Sequence, residues 1–147
     1  MNSLEIGLYI VSTPIGNLAD LSSRAKLILE SVDIVICENP NHSIKLLNNL
    51  GIKKKLLSLH DYNEIALIKR IEKYQRNSSI ALISDAGSPL ISDPGYNLVR
   101  DYIDKNIMIT TVPGASSIIP ALQLSGLPTH NFIFYGFVPK NKGGIGD

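Results

Sequence analysis

Short apolar runs alternate with amphipathic stretches along most of this chain. Runs at 8–12, 32–37, 56–60, 80–84 and 107–112 read as strands set between turn-forming residues. The stretches between them carry helical spacing. The first helix starts near Asp20 or Ser22, either of which can cap it, and Leu21, Ala25, Ile28 and Leu29 then share one face. A second helix covers Ser43 to Leu50 and stops at Gly51. A third covers Glu64 to Gln75, with Ile65, Leu67, Ile68 and Ile71 as its apolar stripe. A fourth begins after Pro94-Gly95 and runs to about Lys105. The fifth follows Pro113-Gly114, with Ser116 or Ser117 near its cap and Pro120 in or just past its first turn. This alternation predicts an α/β fold: a largely parallel five-stranded sheet with helices on both faces.

Gly126-Leu127-Pro128-Thr129 ends the expected domain, which covers residues 1–129. Asn131 to Val138 reads as one further strand. It is expected to open a second, truncated domain over 130–147, so that the chain reads as an N-terminal half closing in an irregular tail.

The loops after the strands carry the candidate chemistry. The strand at Ala81 to Ser84 runs straight into Asp85-Ala86-Gly87-Ser88-Pro89-Leu90-Ile91-Ser92-Asp93-Pro94-Gly95-Tyr96. In an open α/β sheet such a loop lies at the carboxyl end of a strand, where ligands bind. It has neither the G-x-G-x-x-G of dinucleotide sites nor the G-x-x-x-x-G-K-[ST] of triphosphate sites. The pattern points to a small ligand without phosphate, met by backbone amides and carbonyls. Similar loops run from Thr13 to Leu18, from Glu38 to His42, and from Pro113 to Ser117. The competing reading is that each loop only turns a strand into a helix.

Two blocks go further: Thr13-Pro14-Ile15-Gly16-Asn17-Leu18, and Ser84 to Tyr96 continuing to Pro113-Gly114. With both in order, the chain from about Gly7 to Pro139 resembles the tetrapyrrole methylase superfamily. Within it, the resemblance is to the small-subunit methyltransferase I branch of bacterial ribosomal RNA methyltransferases. The resemblance implies S-adenosylmethionine as cofactor, bound in a cleft between two domains. It implies 2′-O-ribose methylation of a cytidine in 16S ribosomal RNA, with that RNA or the small ribosomal subunit as substrate. It also implies a homodimer in the cytoplasm. On the same ground Pro14, Ile15, Gly16 and Asn17 would line the cofactor site, with Asp85, Ala86, Gly87, Ser88 and Pro89, and with Pro113, Gly114, Ala115, Ser116 and Ser117. Gly87 and Gly114 are expected where a side chain would clash with ligand or backbone.

One loop departs from the family. Where relatives carry Glu-Asp-Thr-Arg, this chain has Glu38-Asn39-Pro40-Asn41. The lost guanidinium would pair with phosphate through its planar fork, so RNA positioning is weakened. His42, Lys45, Leu46 and Leu47 still match. Two other readings stand beside the RNA methyltransferase. One is a catalytically inactive remnant, at most a binding or dimerisation module. The other is a tetrapyrrole methyltransferase, which the two matching blocks disfavour.

Composition narrows the rest. With 44% hydrophobic and 18% charged residues in 147, the chain is of globular type. No apolar run approaches the roughly 20 residues of a membrane span, and no signal-peptide pattern opens the sequence. The single Cys37 excludes an internal disulfide and reads as a core residue in a protein of a reducing compartment. A net charge of +1, with Lys53-Lys54-Lys55 as the only basic cluster, reads as a solvated loop and counts against RNA being held by this chain alone. A base would help transfer to a hydroxyl, and Glu38, His42, His60 and Asp61 all follow strands. None is singled out, since each reads equally as a surface or capping residue. His130 stands alone, and no spacing suggests a metal site.

Overall fold

Strand side chains alternate between two faces, and each face finds its own pair of helices. The computed structural model describes residues 4–138. Its strands are β1 (Gly7–Val11), β2 (Ile34–Cys37), β3 (Lys55–Ser58), β4 (Ser79–Ile83) and β5 (Ile109–Val112). Its helices are α1 (Ser23–Ser31), α2 (Pro40–Asn49), α3 (Glu64–Gln75), α4 (Tyr96–Asp104) and α5 (Ile118–Leu124), with a 3₁₀ turn at Leu18–Asp20. The sheet order is β3-β2-β4-β1-β5 and every pairing is parallel. The sheet is therefore parallel throughout, beyond the largely parallel expectation.

On one face Tyr9, Val11, Val35, Cys37, Ala81 and Ile83 pack with Ala25, Ile28 and Leu29 of α1 and Leu47 of α2. On the other, Leu8, Ile34, Ile36, Ile80 and Leu82 pack with Leu67 and Ile71 of α3 and Leu98 and Tyr102 of α4. The chain winds toward the β3 edge with α1 and α2 on the first face. It then reverses toward β5 with α3 and α4 on the second. Right-handed crossovers require this change of face when the winding reverses. β4 lies between β2 and β1, and its following helix takes the opposite face from theirs. Its carboxyl end is thus left uncovered as a crevice.

Local chemistry sets the helix ends. Ser22 caps α1, its Oγ accepting from the Ala25 amide at 3.1 Å. The second helix begins at Pro40, ahead of the expected Ser43. Asn39 is extended and its Oδ1 accepts from the Asn41 and His42 amides, while Pro40 opens the helix without an amide to satisfy. At α5, Ser116 Oγ accepts from the Ile118 amide at 3.3 Å. The third helix keeps its expected bounds but buries a different face. Ile65 is exposed, whereas Glu64 and Gln75 are buried.

The reason lies in α4. Gly95 at its start has no side chain to cap it, so Glu64 does so from α3. Its carboxylate accepts from the Leu98 amide at 2.9 Å and from Asn97 Nδ2 at 3.0 Å. The helix dipole adds to this. Gln75 Nε2 closes the other end of the seam on Asp101 at 2.6 Å.

Two further expectations are corrected. Asn131 to Val138 forms no strand: it joins neither edge of the sheet, and Ile133, Tyr135 and Phe137 lie exposed. The Lys53–Lys55 cluster is not simply solvated. Lys54 Nζ donates to the Val32 carbonyl at 2.6 Å, and Lys55 opens β3. Cys37 is a buried core residue, as expected, and burial pushes its thiol pKa up. Among the described residues no helix is long and apolar enough to cross a membrane.

The α3–α4 seam yields a paired prediction. Glu64→Ala leaves the Leu98 amide and the Asn97 side chain without their acceptor and should lower unfolding stability by about 2 kcal/mol. Tyr102 is the contrast: its hydroxyl is buried without a partner, and burial foremost, then Asp101, raises its pKa. Tyr102→Phe removes an unsatisfied group at almost constant volume and should gain up to about 1 kcal/mol. Urea unfolding of both variants measures the two signs.

Candidate functional site

The loops after β1 and β4 are joined backbone to backbone. The Thr13 amide donates to the Gly87 carbonyl at 2.8 Å, and the Gly87 amide donates back to the Thr13 carbonyl at 3.1 Å. Hydroxyls reinforce the joint. Thr13 Oγ1 donates to the Ser84 carbonyl at 3.2 Å, Ser84 Oγ donates to the Gly87 carbonyl at 3.1 Å, and Ser12 Oγ and Ser88 Oγ share a hydrogen bond of 2.8 Å. Sequence reasoning left Ser12, Thr13 and Ser84 out of the site. Their position as hydroxyls flanking Pro14 and Asp85 was the available signal.

Gly87 has φ +81°, and a Cβ there would lie 3.2 Å from Ile15 Cγ2. A Cβ at Gly114 would lie 2.9 Å from Ser12 Cβ. Both expected glycine positions are crowded, and the crowding groups are side chains of the facing loop. Leu90 (φ 74°) and Ser92 (φ 65°) also adopt left-handed backbone. Such residues cost on the order of 1–3 kcal/mol each and persist only where their surroundings over-determine them.

Two cavities flank this joint. The first, of about 210 Å³, is lined by Ile15, Ala86, Gly87, Ser88, Ile91, Ser92, Ser116, Ser117 and Ile118, with Phe134, Gly136 and Phe137 from the C-terminal segment. The second, of about 450 Å³, is lined by Thr13, Pro14, Ile15, Gly16, Leu18, Asp85 and Ala86, and by His42, Lys45, Leu46 and Asn49 of α2. Ile15 and Ala86 border both. Gly114 and Ala115 line a third hollow with Ile15 and Ser116.

The structure therefore gathers most of the sequence-predicted residues around one crevice but divides them between cavities. Asn17 acts locally, capping the 3₁₀ turn through the Ala19 amide at 3.0 Å. Pro89 is buried and Pro113 exposed, and neither lines a cavity named here. Ile91, Ser92 and Ile118 line the first cavity without having been expected there. A groove between α3 and α4 is lined by Ile65, Lys69 and Arg100 among others, and no strand-end loop reaches it.

Acidic groups crowd the ends of β2, β3 and β4. Burial, and then the charges of Asp85, Asp93 and Asp61, raise the Glu38 pKa. Burial also raises Asp93, with the nearby Ser84 hydroxyl opposing and the charge of Asp85 adding. One oxygen of Asp85, Oδ1, is buried without a hydrogen-bond partner. Of the four candidate bases, Glu38 and Asp61 belong to this cluster and His42 lines the second cavity. His60 stands apart, tilted against Tyr62 with centroids 6.3 Å apart. Among the described residues no group of three His, Cys, Asp or Glu is placed to hold a metal ion.

These shifts have a sign that stability can report. A carboxyl whose folded pKa lies above its unfolded one holds its proton better in the fold. Glu38 and Asp93 thus favour folding at lower pH, and that contribution is lost as pH rises through their raised values. Glu38→Gln should be relatively more stable than the unmodified chain at about pH 7, and the difference should shrink as pH falls through the raised pKa toward about pH 4. Thermal unfolding of both proteins across that range measures it, and a constant difference would contradict it.

Comparison with known proteins agrees with this architecture. The family described as Tetrapyrrole (Corrin/Porphyrin) Methylases matches residues 7–143. Ribosomal RNA small subunit methyltransferase I of Pasteurella multocida is 49% identical over 143 residues, covering 97% of this chain and 51% of its own length. The protein of the same name from Xylella fastidiosa is 50% identical over 133 residues, covering 90% of this chain and 49% of its own. The chain spans about half the length of the curated relatives it matches. Among solved structures, uroporphyrin-III-C-methyltransferase from Thermus thermophilus superposes with a TM-score of 0.60 at 24% identity, covering 86% of this chain and 55% of that one. Precorrin-6Y methylase from Archaeoglobus fulgidus gives 0.57 at 22% identity, covering 83% and 59%. These two likenesses show the fold alone. With a family match across nearly its whole length and a parallel sheet in the same arrangement, the chain belongs to the tetrapyrrole (corrin/porphyrin) methylase family.

Proposed function

We propose that this domain forms one wall of an S-adenosylmethionine-dependent methyltransferase acting on a ribose hydroxyl of a cytidine in 16S ribosomal RNA. The observation that carries the reading is the pair of cavities meeting at Ile15 and Ala86 on the uncovered end of β4. A methyl donor and its acceptor need two adjoining sites with a shared border. The substrate class follows the names of relatives at 46–50% identity. The solved neighbours named for porphyrin and corrin chemistry stand at 22–24% identity and favour a tetrapyrrole acceptor less.

The first cavity fits the cofactor's chemistry. Ser88, Ser92, Ser116 and Ser117 offer hydroxyls and Ile15, Ile91 and Ile118 offer apolar surface, with no cationic side chain in the lining. The nearby carboxylates Glu38, Asp85 and Asp93 give the crevice a negative field, which favours a cation. When bound, the cofactor supplies an electrophilic methyl on a positively charged sulfur. The chain's own contribution is to hold and orient: Gly87 and Gly114 let the loops close on each other, and the serines meet polar edges. Alignment of this kind is most of what an in-line transfer requires.

Because binding pockets enclose about 70–90% of a ligand and this cavity is open to solvent, affinity in the millimolar range is expected. Titrating isotope-labelled protein with S-adenosylmethionine should shift the amides of Ala86, Gly87, Ser88, Ser116 and Ser117. Gly87→Ala should weaken that response. Shifts confined to the α3–α4 groove would overturn the assignment.

The reading also includes a homodimer, working in the cytoplasm where the RNA is. Its support is the surface of α5 and the C-terminal segment. Leu124, Leu127, Ile133, Phe137 and Val138 are each at least 70% exposed, and α5 buries no residue. Apolar patches of this kind mark association surfaces. Sedimentation over a concentration series should show a concentration-dependent dimer, and a monomer at the highest concentrations would rule it out.

A further inference from the structure

We propose that the groove between α3 and α4 binds a single-stranded segment of RNA, with the Tyr96 ring under a base and Lys69 and Arg100 on phosphates. With RNA as the substrate of the proposed reaction, on which this rests, the groove takes nucleotides that flank the target.

Both helices start at the carboxyl edge of the sheet, because each follows a strand of the same direction. Glu64 ties the two starts together through Asn97 Nδ2 and the Leu98 amide. The groove that runs from this joint holds about 630 Å³, more than either cavity of the crevice. One arrangement of side chains recurs on its two walls. α3 presents Ile65 and, one turn on, Lys69; α4 presents Tyr96 and, one turn on, Arg100. Ile65 is 59% exposed and Tyr96 65%, so neither is spent on the core. Tyr62, two residues before Glu64, adds a second ring at that end, 98% exposed.

Charge is divided along the groove. Lys69 forms no ion pair among the described residues, and Arg100 pairs only with Asp104, at 3.9 Å and with both side chains more than half exposed. An exposed pair of this kind contributes little and opens to a phosphate. Of the acids further along, Glu72 and Asp101 are held by Lys105 at 3.3 and 2.9 Å. The available cations therefore stand toward the carboxyl edge, and Asp104 limits how far a polyanion can follow. The Leu98 amide is already taken by Glu64, so an anion is met by side chains, with the planar fork of Arg100 suited to phosphate.

An acidic peptide would gain from Lys69 and Arg100 but not from the Tyr96 ring. An apolar partner helix would gain from Ile65 and Tyr96 but would cover two cations without a counter-charge. An unpaired nucleotide uses both, since every base has a flat face and every linkage a charge. A duplex hides its base faces, which is why the occupant is single-stranded. The groove and the crevice open on the same edge of the sheet, so a strand held in the crevice can continue to Tyr96.

The test titrates the isotope-labelled whole chain with hexacytidylate, with an abasic ribose-phosphate oligomer of the same length, and with hexaglutamate. Hexacytidylate should shift the amides of Ile65, Lys69, Tyr96 and Arg100 and bind most tightly of the three. Tyr96→Ala should weaken it about tenfold, the loss of one stacked base, while Tyr96→Phe retains binding and the abasic oligomer is indifferent to both. Lys69→Ala should weaken both oligomers and lower the salt dependence by about one phosphate contact. Both side chains are exposed, so these variants keep the fold. Equal affinity for hexacytidylate and the abasic oligomer, hexaglutamate binding as tightly as RNA, or indifference to Lys69→Ala would overturn the inference. So would shifts confined to Gly16, His42 and Ala86, an outcome that keeps the reading of the crevice. Shifts in the groove with a silent crevice uphold the inference and count against the crevice as the acceptor site.

Discussion

Parallel strands need crossovers, and crossovers have one hand. That constraint organises this molecule. Because the winding reverses after β3, the helices change face, and β4 is left between two strands whose following helices lie on the opposite side. No helix covers the carboxyl end of β4. The loops after β1, β2, β4 and β5 converge on that opening because the sheet order places their strand ends around it.

The paired Thr13 and Gly87 hydrogen bonds then turn an opening into two cavities. They hold Ile15 and Ala86 as a ridge with a cavity on each side. The hydroxyls of Ser12, Thr13 and Ser84 satisfy carbonyls and neighbours that a tight loop would otherwise leave without partners. The same closeness makes Gly87 and Gly114 intolerant of a Cβ. Carboxylates gather here for a related reason: strand ends are where backbone pairing stops and polar side chains can reach water. Burial, and then their mutual repulsion, raises the proton affinity of Glu38, and their charges give the crevice its sign.

The elements themselves were legible along the chain. Five strands and five helices occur where apolar spacing put them, since periodicity reports which side chains face a core. The errors have local or tertiary causes. Asn39 and Pro40 together start α2 early, a capping pattern that helical apolar spacing alone does not report. Ile65 fits the helical stripe of α3, yet α4 packs against Glu64 and Gln75 instead. Asn131 to Val138 has strand composition, but composition supplies no partner, and no sheet edge takes the segment up.

The candidate site shows the same division. Loop sequences rich in Gly, Ser, Asp and Pro mark where chain direction changes and where backbone comes close, and a motif shared with a family marks which loops belong together. Both are properties of the linear order, so the sequence by itself determined the fold class, the family and the loops that form the crevice. It did not determine which side chains share a cavity. That depends on strand order: β4 stands beside both β1 and β2, which sets Asp85 opposite His42 and Lys45 and sets Ser88 near Ser116. Residues far apart in the chain were brought into one electrostatic field only by folding. The division of the crevice, the pairing of its charges and the proton affinity of Glu38 were therefore decided by tertiary structure.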